Sequence, residues 1–226
     1  MEIYKETNTA VSKEFAKLLD NQISKTKNFG IRALNNLVGK KFFYEPPESE
    51  YISFSLAPRI NTPGRIEDAY LALNLLTSQN SKTAHNFSQK IELMNDKRKD
   101  LSKKLWDEVQ GQIDSQFTNP IIILDCSGYP LGLLGPLAGR LVENLSKPIL
   151  CFAKKNDICK FSSRSGDNYN LFDNLSKLQD YYLNFGGHAS AAGFSIYAKD
   201  LESFKNDLFN INISKKKLNS TKKYKI

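Results

Sequence analysis

Two histidines, three cysteines, two methionines and one tryptophan are all that 226 residues hold of these types, and each scarcity excludes something. The cysteines, Cys126, Cys151 and Cys159, are odd in number and lie in or beside apolar, strand-like runs. They read as buried thiols, not as a disulfide frame or a zinc knuckle. No apolar run approaches the roughly 18–20 residues that span a bilayer, and Met1 to Glu6 lacks the apolar core of a signal peptide. A cytoplasmic protein with no membrane attachment is expected. Hard cations of the Mn²⁺ or Mg²⁺ kind need clustered carboxylate or imidazole ligands. The sequence has no Asp-x-Asp and no Asp-His pair, and His85 and His188 are its only histidines, so no metal or cofactor site is expected in this chain.

What the chain does have is positive charge. Thirty-two Lys and Arg stand against 24 Asp and Glu, for a net charge of +8. That balance favours an anionic partner such as nucleic acid, although it also suits plain solubility. Part of the excess sits in a tail, residues 211–226, which carries Lys215, Lys216, Lys217, Lys222, Lys223 and Lys225 and no acid.

In chain order, Val11, Phe15, Leu18, Leu19 and Ile23 have helical spacing over 9–25, and Ile31, Leu34, Leu37 and Val38 predict a second helix stopped by Gly39. Lys41 to Tyr44 reads as extended. Phe54 to Arg65 (FSLAPRINTPGR) then reads as a loop punctuated by Pro and Gly, with Arg59 and Arg65 flanking Asn61, just before a helix from Ile66 to Leu76. A guanidinium suits a phosphate because its planar fork donates two parallel hydrogen bonds and keeps its charge.

Ala84, Phe87, Ile91, Met94, Leu101, Leu105, Val109 and Ile113 mark one seam of a helix over 82–117. After it the pattern becomes α/β. Ile121 to Leu124 is a strand buried on both faces, 134–145 a helix with Pro136 in its first turn, and Pro148 to Ala153 a second strand. Gly128 and Gly132 border the loop at the end of the first strand. Lys160 to Gly166 (KFSSRSG) offers an anion cradle of hydroxyls around Arg164. A helix from Asn170 to Leu183 leads into Gly186 to Phe194 (GGHASAAGF), read as a tight turn and a helix start. Gly187 would there let a phosphate approach the backbone, and His188 would donate to it. Taken alone, the same turn also fits a close-packed corner with a core histidine. A strand at Phe194 to Ala198 and a helix through Leu201, Phe204 and Leu208 complete the pattern.

The Arg-Ile-Asn segment, the long helix, the Ser-Ser-Arg-Ser strand and the Gly-Gly-His stretch occur in an order that resembles the C-terminal half of the RecJ family, single-strand-specific 5′→3′ DNA exonucleases of the DHH phosphoesterase superfamily. The resemblance covers about residues 20–210. It implies an α/β protein: a helical part with the Arg-rich loop (1–81), a connector helix (82–117), a small DHH-associated α/β domain with a mixed sheet (118–210) and the basic tail. It also implies that Arg59, Asn61, Arg65, Ser162, Arg164, Gly187 and His188 hold DNA phosphates, near the 5′ end of a single strand. The partner implied is single-stranded nucleic acid, DNA rather than RNA, in DNA repair and recombination.

The sequence departs from the family in lacking the Asp-His-His triplet and the other metal-binding aspartates. Mn²⁺ or Mg²⁺ is therefore implied only for a catalytic domain absent from these residues, and the chain alone is expected to be inactive as a nuclease. Gly128 to Gly132 also lacks the Trp-His many relatives carry in that loop. Three readings stay open: the DNA-holding part of a RecJ-like nuclease, with a separate chain carrying the metals; a stand-alone nucleic-acid-binding protein; and a remnant of a cyclic-dinucleotide or oligonucleotide phosphoesterase.

Overall fold

The computed structural model describes residues 25–38 and 51–211. The expected helix at 9–25, the extended stretch at Lys41 to Tyr44 and nearly all of the basic tail lie outside those residues. The chain divides into two compact units, Met1–Lys99 and Asp100–Ile226, with the division inside the long helix.

The first unit is helical. It contains α1 (Phe29–Val38), a π-helical turn (Ile52–Leu56), α2 (Ala57–Ile66), α3 (Tyr70–Leu76) and the first half of α4 (Ser81–Ser115). Leu34, Leu56, Leu75, Ala84 and Ile91 form its core, with Tyr51 hydrogen-bonded through its hydroxyl to the buried Asn35 at 2.7 Å. Gly30 is there for contact: a Cβ on it would lie 2.3 Å from the Leu75 carbonyl oxygen.

The Arg-rich segment corrects the sequence reading, because it is α2 and not a loop. Pro58 sits at the start of the helix, where a missing N–H costs nothing. The π-helical turn before it widens the backbone where the proline ring would otherwise crowd the preceding turn. Pro63 lies inside the helix, yet it is buried along with Thr62, whose hydroxyl donates to the Pro58 carbonyl at 2.8 Å. Packing outweighs the breaker residues.

The second unit carries the last part of α4 and a five-stranded sheet in the order β1-β2-β3-β5-β4. Its strands are β1 (Ile122–Asp125), β2 (Ile149–Lys155), β3 (Ile158–Arg164), β4 (Tyr182–His188) and β5 (Ala191–Tyr197). β1 and β2 are parallel and joined through α5 (Leu134–Leu145), while the other neighbours are antiparallel. The sheet is mixed, as expected.

One sheet face is aromatic. Phe161 stacks on Phe194 at 4.4 Å between ring centroids, and Phe204 of α7 (Leu201–Asn210) closes over both. Leu171, Leu175 and Leu178 join them from α6 (Leu171–Leu175) and the 3₁₀ turn after it. Each such fully buried side chain contributes roughly 1.5–3 kcal/mol of transfer free energy. The opposite face receives α5.

Two further expectations are corrected here. The helix expected over Asn170 to Leu183 is one short helix and a 3₁₀ turn, after which Tyr182 already begins β4. The expected helix start after Gly-Gly-His is a strand, so the glycine stretch is a β-hairpin that turns at Ala189–Ser190. Its register sets Phe185 opposite Phe194, and that aromatic pairing on the core face specifies a strand where small residues alone do not.

Candidate nucleic-acid interface

The hairpin register decides which residues meet. Arg164, Ala191 and His188 lie in one row across β3, β5 and β4, and Ser162, Gly193 and Gly186 lie in the next row on the same face. Adjacent strands are about 4.8 Å apart and alternate residues about 7 Å apart, so the two rows frame a patch of about 7 by 10 Å. Its floor has almost no side chains. A Cβ on Gly186 would meet nothing within 4 Å, and one on Gly193 only the Phe161 carbonyl oxygen at 3.7 Å. Both glycines and His188 are exposed.

Ser162 and Arg164 reach from the patch to the first turn of α5. A Cβ on Gly135 would come within 3.2 Å of Ser162 Oγ and 3.5 Å of Arg164 Nη2, so glycine at position 135 leaves these two side chains room beside the helix. Arg164 Nη1 donates to the Ser163 carbonyl at 2.8 Å, which aims the guanidinium, and the first turn of α5 holds no acidic residue. A guanidinium beside the positive end of a 12-residue helix favours an anion between them. His188 Nδ1 lies 3.2 Å from Ser190 Oγ. The hairpin turn is pinned from behind, where Ser165 N–H donates to the Ser190 carbonyl at 3.0 Å and Leu171 N–H to that of Ala189 at 2.7 Å.

Gly187 does something else. Its φ is +157°, and a Cβ there would lie 2.3 Å from the Ala191 carbonyl oxygen and 2.7 Å from Ala192 Cα. The close approach it permits is between two strands of its own hairpin, and Gly186 and Gly193 take the open positions that the sequence reading assigned to it. Those two glycines and Gly135 were missed. Only the strand register shows which glycines of the stretch face outward, and only the fold brings Gly135 against Arg164.

In the first unit, Arg59, Asn61 and Arg65 share α2. Arg59 is engaged: Nε and Nη2 pair with the Glu92 carboxylate, the latter at 2.8 Å, and Nη1 donates to the Ser55 carbonyl at 2.7 Å. Asn61 is exposed, and Arg65 is partly buried on the last turn. Among the described residues no three His, Cys, Asp or Glu side chains come together as metal ligands would. No helix among them is long and apolar enough to cross a membrane.

The DHHA1 domain family matches residues 118–212. The single-stranded-DNA-specific exonuclease RecJ of Bacillus subtilis is 32% identical over 83% of this chain and 24% of its own length. RecJ of Thermus thermophilus is 30% identical over 78% of this chain and 25% of its own length. The chain thus spans about a quarter of the curated relatives it matches. The crystal structure of Thermus thermophilus RecJ in complex with Mn²⁺ superposes with a TM-score of 0.74 at 25% identity, over 84% of this chain and 28% of that one. The chain carries a DHHA1 domain at residues 118–212 and is RecJ-like over most of its length.

Proposed function

We propose that this chain holds single-stranded DNA by its phosphates, as the nucleic-acid-binding part of a RecJ-like nuclease. The divalent-metal chemistry belongs to a DHH-type catalytic part that the described residues do not supply. The observation that carries this reading is the glycine-floored patch with Ser162, Arg164 and His188 at its border. Bare backbone lets a sugar-phosphate chain lie flat against the sheet. A charged fork, a hydroxyl and an imidazole then provide donors of three kinds to the phosphate oxygens. Contacts of this class position the strand without reading its sequence. The net charge of +8 adds long-range attraction.

Anisotropy titrations of the full 226-residue chain against a 5′-phosphorylated oligothymidylate and its duplex test the reading. Binding should favour the single strand and weaken with salt, at a logarithmic slope of about −0.7 per phosphate contact. Arg164→Ala should flatten that slope by about one contact. His188→Ala should lower affinity with no change in melting temperature, because His188 is exposed and its Nδ1 lies beside Ser190 Oγ of the same turn. An Arg164→Ala protein with the wild-type slope would remove the patch from the interface. Metal-dependent cleavage by the purified chain in Mn²⁺ would place the catalytic part within it.

A further inference from the structure

The sheet has two edges, and only one is closed. Along β1 the side chains of Gln112 and Gln116 pair with the backbone of Asp125 and Ile123. β4 lies at the other end of the strand order, and Leu183, Asn184, Gly186, Gly187 and His188 on it are exposed. The two-residue turn at Ala189–Ser190 makes His188 and Ala191 a hydrogen-bonded pair, so alternation turns the backbone of Gly186 toward β5 as well. The N–H and carbonyl groups of Phe185 and Gly187 then point away from the sheet. They meet no partner among the described residues.

A strand left open in this way is ordinarily guarded by lysine, proline or a bulge. β4 has a bulge between Tyr182 and Asn184 but neither lysine nor proline, and Phe185 to His188 pair regularly beyond the bulge. Tyr181 to Ala198 is the longest stretch of the chain without Asp, Glu, Lys or Arg. Burial accounts for that in β5, most of whose side chains are buried, but not in β4, most of whose side chains are exposed. Beside the edge, Phe172 of α6 stacks on Phe185 at 5.1 Å between ring centroids and is 38% exposed, and Leu183 is 42% exposed. The two ends of the strand differ in charge. Asp180 precedes β4, Asp207 accepts from the Tyr181 hydroxyl at 2.6 Å, and Asp200 is close enough to act on the same hydroxyl. Lys177 and Lys199 offset part of that charge. At the far end stand His188 and, in the same row, Arg164.

We infer that the β4 edge docks a second copy of this chain, strand to strand about a two-fold axis at Phe185, so that two sheets become one. Antiparallel pairing about that axis lets the Phe185 backbone groups bond their counterparts and sets Gly187 of each copy beside Leu183 of the other. It also lays the acidic start of each strand against the basic end of the other, which parallel pairing would not do. Phe172 and Leu183 of both copies add apolar surface along the seam. A chain of net charge +8 repels its own copies over most of its surface, and this uncharged strand is where two can approach. The inference does not rest on the DNA reading, since the edge offers backbone groups in the plane of the sheet and the patch faces out of that plane.

Sedimentation velocity of the full chain without nucleic acid, across a wide range of concentration, measures the association. The mass should rise from 25.6 kDa toward twice that value. Leu183→Lys and Asn184→Lys each place like charges on both sides of the axis and should weaken dimerisation about tenfold or more. Both positions are exposed, so the melting temperature of the dilute protein should hold. Hydrogen exchange needs no variant: the amides of Phe185 and Gly187 should be slowed at dimer-forming concentration and not in the dilute protein. A chain that stays monomeric throughout would overturn the inference. So would a dimer that forms equally well in both lysine variants, or one whose β4 amides exchange as fast as the monomer's. DNA binding by a strict monomer would defeat the dimer alone, and a dimer indifferent to DNA would defeat only the functional reading.

Discussion

The side chain of Gln116 and the backbone of Ile123 exchange two hydrogen bonds, Nε2 donating to the Ile123 carbonyl at 2.8 Å and Oε1 accepting its N–H at 3.0 Å. One turn earlier, Gln112 does the same with Asp125, at 2.9 Å in both directions. The two glutamines pair with β1 as a neighbouring strand would. They close that edge of the sheet and bind the end of α4 into the second unit. A buried strand whose edge would otherwise offer unpaired groups is thereby satisfied.

Gln116→Ala should therefore destabilise the second unit by about 1–3 kcal/mol, because it leaves the N–H and carbonyl of buried Ile123 without partners. Gln112→Ala should cost less, since Asp125 is exposed and water can replace the amide. Chemical denaturation of the two variants measures the difference. Equal and negligible effects would mean that the helix is held by Leu105, Val109 and Ile113 alone.

Gly187 and Gly193 of the hairpin should separate cleanly. Gly187→Ala forces a Cβ against the backbone of β5 and should cost about 2 kcal/mol or more, with DNA binding lost only in proportion to unfolding. Gly193→Val puts a strand-favouring side chain into open space on the outer face. It should leave the melting temperature within a degree or two while weakening single-strand binding by filling the patch floor. A Gly193→Val protein that binds as wild type does would take the patch out of the interface even if Arg164 matters.

Stability should fall on the alkaline side. The hydrogen bond with the Cys126 thiol, together with burial, pushes the Cys151 thiol well above its ordinary range, and burial raises Cys159. Burial also pushes Tyr169 up to about 12 and raises Tyr182. All four hold their protons more tightly folded than unfolded. The stability they contribute is complete below about pH 8.5, where unfolded thiols begin to ionise, and falls as pH rises toward the folded values, with tyrosine joining near pH 10. Melting temperatures from pH 7.5 to 10.5 should show this decline. The Tyr169 hydroxyl is buried with no partner among the described residues, so Tyr169→Phe should lose nothing at pH 7.5 and decline less steeply above pH 9.5. A steeper decline in Tyr169→Phe would refute the assignment.

Hydrophobic period and length were enough to place the long helix, expected at 82–117 and found at Ser81–Ser115, and the β-α-β unit from Ile122 to Lys155. Those signals are local: an apolar seam every three or four residues, or a short apolar run bounded by turn residues, specifies its element with little help from elsewhere. Ser162 and Arg164 could be placed in the same way, at the polar end of β3. What the sequence by itself determined is therefore the long helix, the β-α-β unit and the residue types along the chain. The tertiary structure decided the rest. Pro58, Pro63 and Gly64 spell a loop until α2 is anchored to α4 through Arg59–Glu92 and Thr62–Asn95, contacts 33 residues apart in sequence. Gly186, Gly187 and Gly193 are interchangeable as letters, and only pairing with β5 turns one inward and leaves two as a bare floor. Arg98 reads as one more solvated charge on a basic helix until packing buries its Nε. Local propensity selects elements, whereas desolvation and close approach arise only where elements meet.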